Sequence, residues 1–158
     1  MNSFPTSMDF QLPESLNPSK KAATMDKKIL RILDANLNRT KEALRVCEDI
    51  ARFILDRKSL TKKYKVARHR ITNIFVNSKN TRFLKARNIL KDIGKGSIEA
   101  EFRRKNIKDV FYANSQRAKE SIRVLEEFSK LTNRRAAEDL KKIRYQVYDL
   151  ERIIAQEI

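Results

Sequence analysis

The chain has little of what disulfide frameworks and tight turns require. Its 158 residues include one cysteine, two glycines and three prolines, and all three prolines lie within the first 18 residues. A single cysteine excludes a disulfide framework and a cysteine-rich zinc site, and it favours a reducing compartment. With so little glycine and proline after residue 18, a sheet of many strands is disfavoured.

Long apolar runs are also missing from the sequence. No run approaches the ~20 residues that a membrane span needs, and the N-terminus lacks the apolar core of a signal peptide. The sequence therefore predicts a cytoplasmic protein without a membrane segment.

The scarcity of glycine limits how the chain can hold a nucleotide. Neither G-x-x-x-x-G-K-[ST] nor G-x-G-x-x-G occurs, so a backbone cradle for phosphates is excluded. His69 is the only histidine, which excludes a histidine-rich metal site. Nucleotide chemistry would have to use Arg and Lys side chains with Mg²⁺ held by carboxylates. Cys47 has apolar neighbours, and a buried, inert thiol is expected.

Positive charge is what the chain has in excess. It contains 36 Lys and Arg against 20 Asp and Glu, a formal net charge of +16. Residues 1–25 are neutral overall, so the excess belongs to residues 26–158. Such a surface attracts nucleic acids, acidic membranes or small phosphorylated metabolites. Residues 1–25 are expected to form a disordered leader, and residues 26–158 a single helical domain.

Apolar residues recur at helical spacing along most of the chain. Long amphipathic helices are predicted over 27–55, 59–75, 98 or 106–131, and 134–154. Ser59 is the expected N-cap of the second helix, and Thr132 or Asn133 that of the last. Residues 79–97 are expected to form an irregular connector with a short helical piece around 83–93. The prediction is an all-α antiparallel helical bundle of two helix pairs.

An internal repeat relates the two pairs, in about 26–78 and 98–156. Residues 34–53 and 112–131 align at a shift of 78 with 8 of 20 positions identical. The identical pairs are Ala35/Ala113, Asn36/Asn114, Arg39/Arg117, Lys41/Lys119, Glu42/Glu120, Arg45/Arg123, Val46/Val124 and Glu48/Glu126. Downstream, the spacing of Lys65 and Arg68 returns in Lys141 and Arg144 at a shift of 76. The bundle should therefore be pseudo-symmetric.

The repeated residues are mostly polar, although a structural duplication needs only its apolar stripe preserved. A helical wheel at about 100° per residue places Arg39 within an apolar stripe, with Asn36 beside it and Glu42 and Asp49 on the flank. The second half repeats this with Arg117, Asn114, Glu120 and Glu127, and Arg144 and Glu151 also fall among apolar residues. By the same wheel Arg45, Glu48, Arg123 and Glu126 point more outward.

A buried arginine needs a carboxylate or a ligand anion, because an unpaired buried charge costs several kcal/mol. Two interpretations are open: Arg–Glu networks at the waist of the bundle, or an anion pocket lined by Arg39, Arg117 and Arg144. The excess of positive charge favours the pocket. Tyr112, Tyr145 and Tyr148 are expected to pack in the core, with stacking on a heterocycle as the alternative.

Several short motifs resemble a known family. They are RILDANLNR at 31–39, EALRV at 42–46, ED at 48–49, RF at 52–53, RH at 68–69, KAR at 85–87, DIG at 92–94, AN at 113–114, Arg117, Glu120 and RVLEE at 123–127. Across about residues 27–151 the chain is similar to a small bacterial family of thiamin biosynthesis, whose members occur alone or fused to the N-terminus of thiamin-phosphate synthase. The resemblance implies a hydroxymethylpyrimidine-phosphate kinase that makes the diphosphate from the monophosphate and ATP with Mg²⁺.

The chain departs from the family at one motif. Arg87-Asn88 stands where the family prefers Arg-Asp, so if that acid holds Mg²⁺, Asp92 or another carboxylate would have to substitute.

The repeat and the wheel suggest roles for individual residues within this activity. The predicted catalytic group is Arg39, Arg117, Arg144, Glu42 and Glu120. The predicted binding group for ATP and the pyrimidine phosphate is Asn36, Asn114, Arg45, Arg123, Arg68, His69 and Arg87. The predicted Mg²⁺ ligands are Glu48, Asp49, Glu126, Glu127 and Asp92. Replacing Arg39 or Arg117 by Ala should damage activity far more than replacing Lys41.

Two other function classes stay open at this stage. The charge also suits a helical RNA- or DNA-binding module, and the same pocket would suit a non-catalytic sensor of a phosphorylated ligand. The sequence leaves a homodimer open as well.

Overall fold

The computed structural model describes residues 18–76, 80–94, 96 and 103–158, and side chains from Lys27 onward except those of residues 80 and 81. It contains five helices: α1 (Pro18–Phe53), α2 (Lys58–Val76), α3 (Asn80–Ala86), α4 (Ile107–Ser129) and α5 (Arg134–Ile154). The described part of the chain contains no strand, so the predicted all-α bundle is confirmed.

The first helix begins earlier than predicted. Pro18 starts α1, and proline suits the first helical turn because its missing N–H has no intrahelical partner there. The expected disordered leader therefore conflicts with the structure at residues 18–25, while residues 1–17 lie outside the described part.

Two asparagines cap the helices of the second half. The Asn106 side chain accepts a hydrogen bond from the Asp109 N–H at 2.9 Å, and Asn133 accepts one from the Ala136 N–H at 3.1 Å. The prediction for Asn133 is confirmed, and of the two proposed starts of α4 the one at residue 106 is correct. The predicted cap at Ser59 is wrong, because helical bonding begins at the Arg57 carbonyl.

The four long helices form a ring in the order α1, α2, α5, α4. Helix α1 packs on α2 and α4, and α5 packs on the same two helices. Residues 54–57 join α1 to α2 without glycine, because Asp56 adopts a positive φ of 51° that aspartate tolerates. Ion pairs join Lys119 near the middle of α4 to Glu151 late in α5, and Glu126 late in α4 to Arg144 earlier in α5. Helices α4 and α5 are therefore antiparallel.

A local two-fold axis passes through the bundle. Arg70 and Gln146, which are equivalent at the repeat shift of 76, hydrogen-bond to each other at 3.0 Å between α2 and α5. On the opposite side, the buried Thr40 hydroxyl donates to Ser121 at 2.8 Å between α1 and α4. Equivalent helices thus meet each other across the axis, as the internal repeat predicted.

The connector is helical over a different stretch from the one predicted. Helix α3 ends at Ala86 and packs on α1, and its Phe83 ring lies edge-on to Phe75 at 5.9 Å between centroids. The apolar side chains beyond it, including Leu90 and Ile93, are exposed rather than packed on a helical face. This part of the chain passes along α1 and forms one wall of a cleft.

Candidate functional site

A cleft of about 680 Å³ lies between the middle of α1 and the segment that follows α3. Both cations and carboxylates line its walls. The cations are Lys28, Arg31, Arg39 and Arg87, and the carboxylates are Asp34, Glu42 and Asp92. The amides of Asn36, Asn38 and Asn88 also line it. Its described lining includes no residue of α4 or α5.

The strongest ion pair in the cleft joins Asp34 to Arg87. Two guanidinium nitrogens, Nε and Nη2, each donate to one Asp34 oxygen at 2.7 Å. Asp34 is only 5% exposed, and Asn38 donates to its Oδ1 at 3.3 Å. The hydrogen bonds from Asp34 raise the pKa of Arg87 above its ordinary value. A bidentate pair of this kind fixes the segment after α3 against α1 and keeps Arg87 charged at the edge of the cleft.

The repeated asparagines bond to their own helices. Asn36 donates from Nδ2 to the Ile32 carbonyl at 2.9 Å, and Asn114 donates to the Val110 carbonyl at 2.8 Å. Their amide nitrogens are therefore engaged, and the oxygen of Asn36 is the group that a donor in the cleft would meet.

The inward orientation predicted for Arg39 and Arg117 is wrong, because both side chains are exposed. The buried line of α1 runs through Leu33, Leu44 and Cys47, about 110° around the helix from Arg39. The wheel had taken the second apolar line of the helix as the core face. Arg39 instead faces the cleft.

The second copy of this group does not line the cleft. Arg117 and Glu120 are exposed on α4, where Glu120 accepts a hydrogen bond from Gln116 at 2.7 Å. Arg144 is inward as predicted, but its Nε donates to Glu126 at 3.0 Å. A single pocket lined by Arg39, Arg117 and Arg144 is therefore not formed.

Buried ion networks occupy equivalent places in the two halves. Glu48 accepts from Nε of Arg68 at 3.0 Å and lies 3.6 Å from Nη1 of Arg45. In the second half, Glu126 accepts from Nε of Arg144 at 3.0 Å and from Nη1 of Arg123 at 2.7 Å. Glu48 and Glu126 are each 3% exposed, so the prediction that they point outward is wrong. Their carboxylates face the partner helix of each pair, where arginines neutralise them.

The predicted metal ligands are divided among three places. Within the described residues, no group of three His, Cys, Asp or Glu side chains is arranged to hold a metal ion. Asp49 and Glu127 join the two networks through Arg45 at 3.4 Å and Arg123 at 2.7 Å. The hydrogen bond from Lys130 lowers the pKa of Glu127.

The cleft holds the third part of this predicted set. Asp92 lines it and accepts from the Gly94 N–H at 3.0 Å, and Glu42 lines it as well. Mg²⁺ takes carboxylate oxygens from proteins, usually one or two carboxylates together with substrate phosphates, and Glu42 and Asp92 supply donors of this kind in the cleft.

Two further predicted residues lie away from the cleft. His69 is exposed on α2. Cys47 is buried in the core, and its burial, aided by the nearby Glu151 carboxylate, raises the pKa of the thiol to about 12. The prediction of a buried thiol is confirmed, and a thiol with this pKa is inert at neutral pH.

The identical pairs of the repeat do not include all of the residues that line the cleft. Lys28, Arg31, Asp34, Asn38 and Asn88 all line it, yet none was predicted as a site residue. Asp34 aligns with a tyrosine in the second half, so a search for identical pairs could not find it. The useful signal was the run 31–39, in which charged and amide side chains recur at helical spacing.

Comparison with known proteins covers the same part of the chain. The profile of the ThiD2 family matches residues 31–153. The chain belongs to the ThiD2 family. The ThiD2 match includes both helix pairs and, between Arg31 and Asp92, nearly all of the cleft lining.

Relatives of this ThiD2 chain include three thiamine-phosphate synthases. The protein of Synechococcus sp. (strain CC9605) is 36% identical over 137 residues, which cover 86% of this chain and 38% of the relative. That of Prochlorococcus marinus (strain MIT 9313) is 38% identical over 136 residues, covering 85% and 37%. That of Rhodopirellula baltica is 36% identical over 121 residues, covering 76% and 32%. The chain thus spans about a third of the length of these curated relatives.

Two further findings complete the comparison. No solved structure shows significant similarity to the chain. None of the described helices is both long and apolar enough to cross a bilayer.

Proposed function

We propose that this chain acts in thiamin biosynthesis as a kinase that transfers the γ-phosphoryl group of ATP to hydroxymethylpyrimidine phosphate, and that the cleft between α1 and the segment after α3 is its active site. The observation that carries the proposal is that four cations and three carboxylates line one cavity. Membership of the ThiD2 family and similarity to thiamine-phosphate synthases support the pathway. The cleft volume of about 680 Å³ is within the usual range for small-molecule sites.

Charge neutralisation is the main task of such a site. Two phosphorylated substrates repel each other, and phosphoryl transfer is catalysed chiefly by alignment and by stabilising the charge on the transferred group. Arg39 and Arg87 would contact the phosphates, and Lys28 and Arg31 would add to the positive field. Asp34 would position Arg87, because its two hydrogen bonds hold the guanidinium at the edge of the cleft.

Glu42 and Asp92 would hold Mg²⁺ in this scheme. The ion would neutralise the phosphates of the nucleotide and help to orient them. Asn88 stands where the family prefers an acid, but its side chain accepts from the Lys91 N–H at 3.2 Å and shapes the turn beside Asp92. The cleft therefore keeps Asp92 as its carboxylate on that wall.

The chemistry requires little of a general base. An oxygen of the acceptor phosphate attacks the γ-phosphorus, the bond from that phosphorus to the β-phosphate oxygen breaks, and ADP leaves. A phosphate monoester is already ionised at neutral pH, so its oxygen needs no deprotonation before attack. The amide oxygen of Asn36 could accept a hydrogen bond from the amino group of the pyrimidine.

A turnover assay tests the proposal. The purified chain should convert hydroxymethylpyrimidine phosphate to the diphosphate with ATP and Mg²⁺, forming one ADP per product, as followed by phosphorus NMR. Chelation of Mg²⁺ should abolish the conversion. Unphosphorylated hydroxymethylpyrimidine is the matched control, and it should react much more slowly because it offers no anion to the cleft.

Calorimetry with the same ligands separates the proposal from a non-catalytic sensor. Binding of the pyrimidine phosphate without ADP formation, in the presence of Mg²⁺ and ATP, would identify a sensor and reject the kinase. A lack of binding by both phosphorylated compounds would reject the cleft as their site.

A further inference from the structure

Positive charge is concentrated on α2. This helix carries six Lys and Arg residues and no Asp or Glu. Its counterpart in the second half, α5, carries both signs, and α4 carries four basic and four acidic residues. Lys58, Lys62, Lys63 and Lys65 are all exposed on α2. The side of the bundle formed by α2 therefore offers a polyanion four exposed lysines with no carboxylate on the same helix.

A groove of about 570 Å³ runs between α2 and α5 on this side. Lys62 and Lys63 line it from α2, and Lys142 and Tyr145 line it from α5. Tyr145 is 58% exposed, contrary to the core position expected from the sequence. The groove also contains one carboxylate, Asp149, which pairs with Arg152 at 2.9 Å.

We propose that this groove binds single-stranded nucleic acid, with the lysines contacting phosphates and the Tyr145 ring stacking on a base. Proteins that bind single strands combine a basic groove along the backbone with exposed aromatic rings on which the bases stack. Arg144 lies 5.2 Å from the centre of the Tyr145 ring, on the helix that presents it. The remaining exposed lysines of α2 extend the basic surface beyond the groove.

The shape of the groove favours a nucleic acid strand over the other polyanions. Besides the Tyr145 ring, its apolar residues are the exposed Val66 and the buried Leu150, so it presents no long row of protruding apolar side chains to insert into a membrane. Lysines spread along a helix act as separate point charges, and they suit a ligand that repeats its phosphates better than a single phosphorylated metabolite.

The groove is separate from the proposed active site. The described lining of the cleft comes from α1 and from residues 87–92, whereas the groove is lined only by α2 and α5. Loss of nucleic acid binding should therefore leave phosphoryl transfer intact, and the two proposals can fail independently.

Fluorescence anisotropy with a labelled 20-nucleotide oligo(dT) tests the inference on the full chain. We expect the dissociation constant to rise steeply between 50 and 200 mM salt, because phosphate contacts release counterions with a log–log slope of about −0.7 per contact. The double variant Lys62→Glu and Lys63→Glu should weaken binding by about tenfold or more and reduce the slope. The matched control, Lys108→Glu with Lys130→Glu at the two ends of α4, makes the same change in net charge and should weaken binding less than about threefold.

Tyrosine variants separate stacking from charge. Tyr145→Ala should weaken binding with little change in the salt slope, and Tyr145→Phe should keep the affinity because the ring is kept. Circular dichroism checks that each variant is folded. Absence of binding at 50 mM salt, or equal weakening by the α4 control, would overturn the inference. So would binding to vesicles of anionic lipid that depends on Lys62 and Lys63 while oligo(dT) does not compete.

Discussion

Arg87 donates two hydrogen bonds of 2.7 Å to the carboxylate of Asp34. The pair spans 53 positions of sequence and is the polar contact that holds the segment after α3 against α1. It does two things at once: it joins the two walls of the cleft, and it orients a guanidinium whose side chain is 37% exposed.

Removing the charge of Asp34 should destabilise the protein. Asp34→Asn keeps the volume but replaces a charged pair by a neutral contact in a site that is mostly buried, at an expected cost of about 1–3 kcal/mol in the free energy of unfolding. The control is Asp149→Asn, which makes the same chemical change in an exposed pair with Arg152 and should cost less than about 1 kcal/mol. Urea unfolding followed by circular dichroism measures both. Equal costs would show that the Asp34–Arg87 pair is no more important than a surface contact.

Substitutions of glutamates in the cleft and in the buried ion networks should have different effects: the first should lower activity, and the second should lower stability. Glu48→Gln leaves two arginines facing a neutral amide in a buried site and should cost about 3 kcal/mol of stability. Glu42→Gln changes an exposed residue of the cleft and should leave stability within about 0.5 kcal/mol while lowering kinase activity at least tenfold. Urea unfolding and the turnover assay are run on both variants. A Glu42→Gln variant that retained full activity would contradict the proposed role of its carboxylate.

The arginines of the repeat should differ in their effect on catalysis. Arg39 faces the cleft and Arg117 does not, so Arg39→Ala should reduce kcat/KM about 100-fold or more, as expected for loss of a phosphate contact in phosphoryl transfer. Arg117→Ala should now behave like Lys41→Ala and change it less than about threefold. Steady-state kinetics measures all three variants. If Arg117→Ala were as damaging as Arg39→Ala, the active site would have to include the exposed face of α4.

Alkaline pH should destabilise the core through Cys47 and Tyr64. Burial raises the pKa of Cys47 from its ordinary value of 9.0 to about 12, and burial also raises the pKa of Tyr64. The unfolded chain therefore loses these protons first as the pH rises. The contribution of Cys47 is complete below pH ~9 and is lost progressively between about pH 9 and 12, and that of Tyr64 is complete below its ordinary pKa of 10.0 and is lost above it. Each group adds a slope of about −1.4 kcal/mol per pH unit there.

Two variants isolate these contributions. Cys47→Ala and Tyr64→Phe should each make the fall in unfolding free energy between pH 9 and 11 shallower, whatever they do to stability at pH 7. The lysines titrate alike in the variants and the parent chain, so the difference in slope belongs to the replaced group. Parallel curves for variant and parent would contradict the pKa shifts.

The architecture could be predicted from the sequence because the packing of a helical bundle is largely determined by the spacing of apolar residues within each helix. Apolar spacing located the four long helices, and the 78-residue repeat indicated that equivalent helices would be related by symmetry. The ends of the helices were less predictable. The N-cap predicted at Asn133 is correct and the one at Ser59 is wrong, because the position of an N-cap depends on which carbonyl accepts the first helical hydrogen bond.

The site was less predictable than the fold for a physical reason. Helix α1 has two apolar lines, and only packing against α2 and α4 decides which becomes the core, so the wheel assigned Arg39 and Glu48 to the wrong sides. The ion pair between Asp34 and Arg87 depends on where the segment after α3 packs against α1. The periodicity of the sequence does not predict that position. Arg39, Glu42, Asn36, Arg87 and Asp92 were nevertheless among the predicted residues that the structure brings together around the cleft.

The hydrogen bond between Arg70 and Gln146 indicates how this fold could have arisen by gene duplication. Arg70 and Gln146 occupy equivalent positions in the two halves. In a symmetric dimer of identical helix hairpins, the residue at this position would contact the same residue of the other hairpin. Duplication and fusion of a gene for a self-associating hairpin yields this arrangement, and it frees the copies to diverge. Glu48 and Glu126 still bind equivalent arginines, whereas Asp34 and Tyr112 differ, so that, among the described residues of the two copies, only those of the first line the cleft.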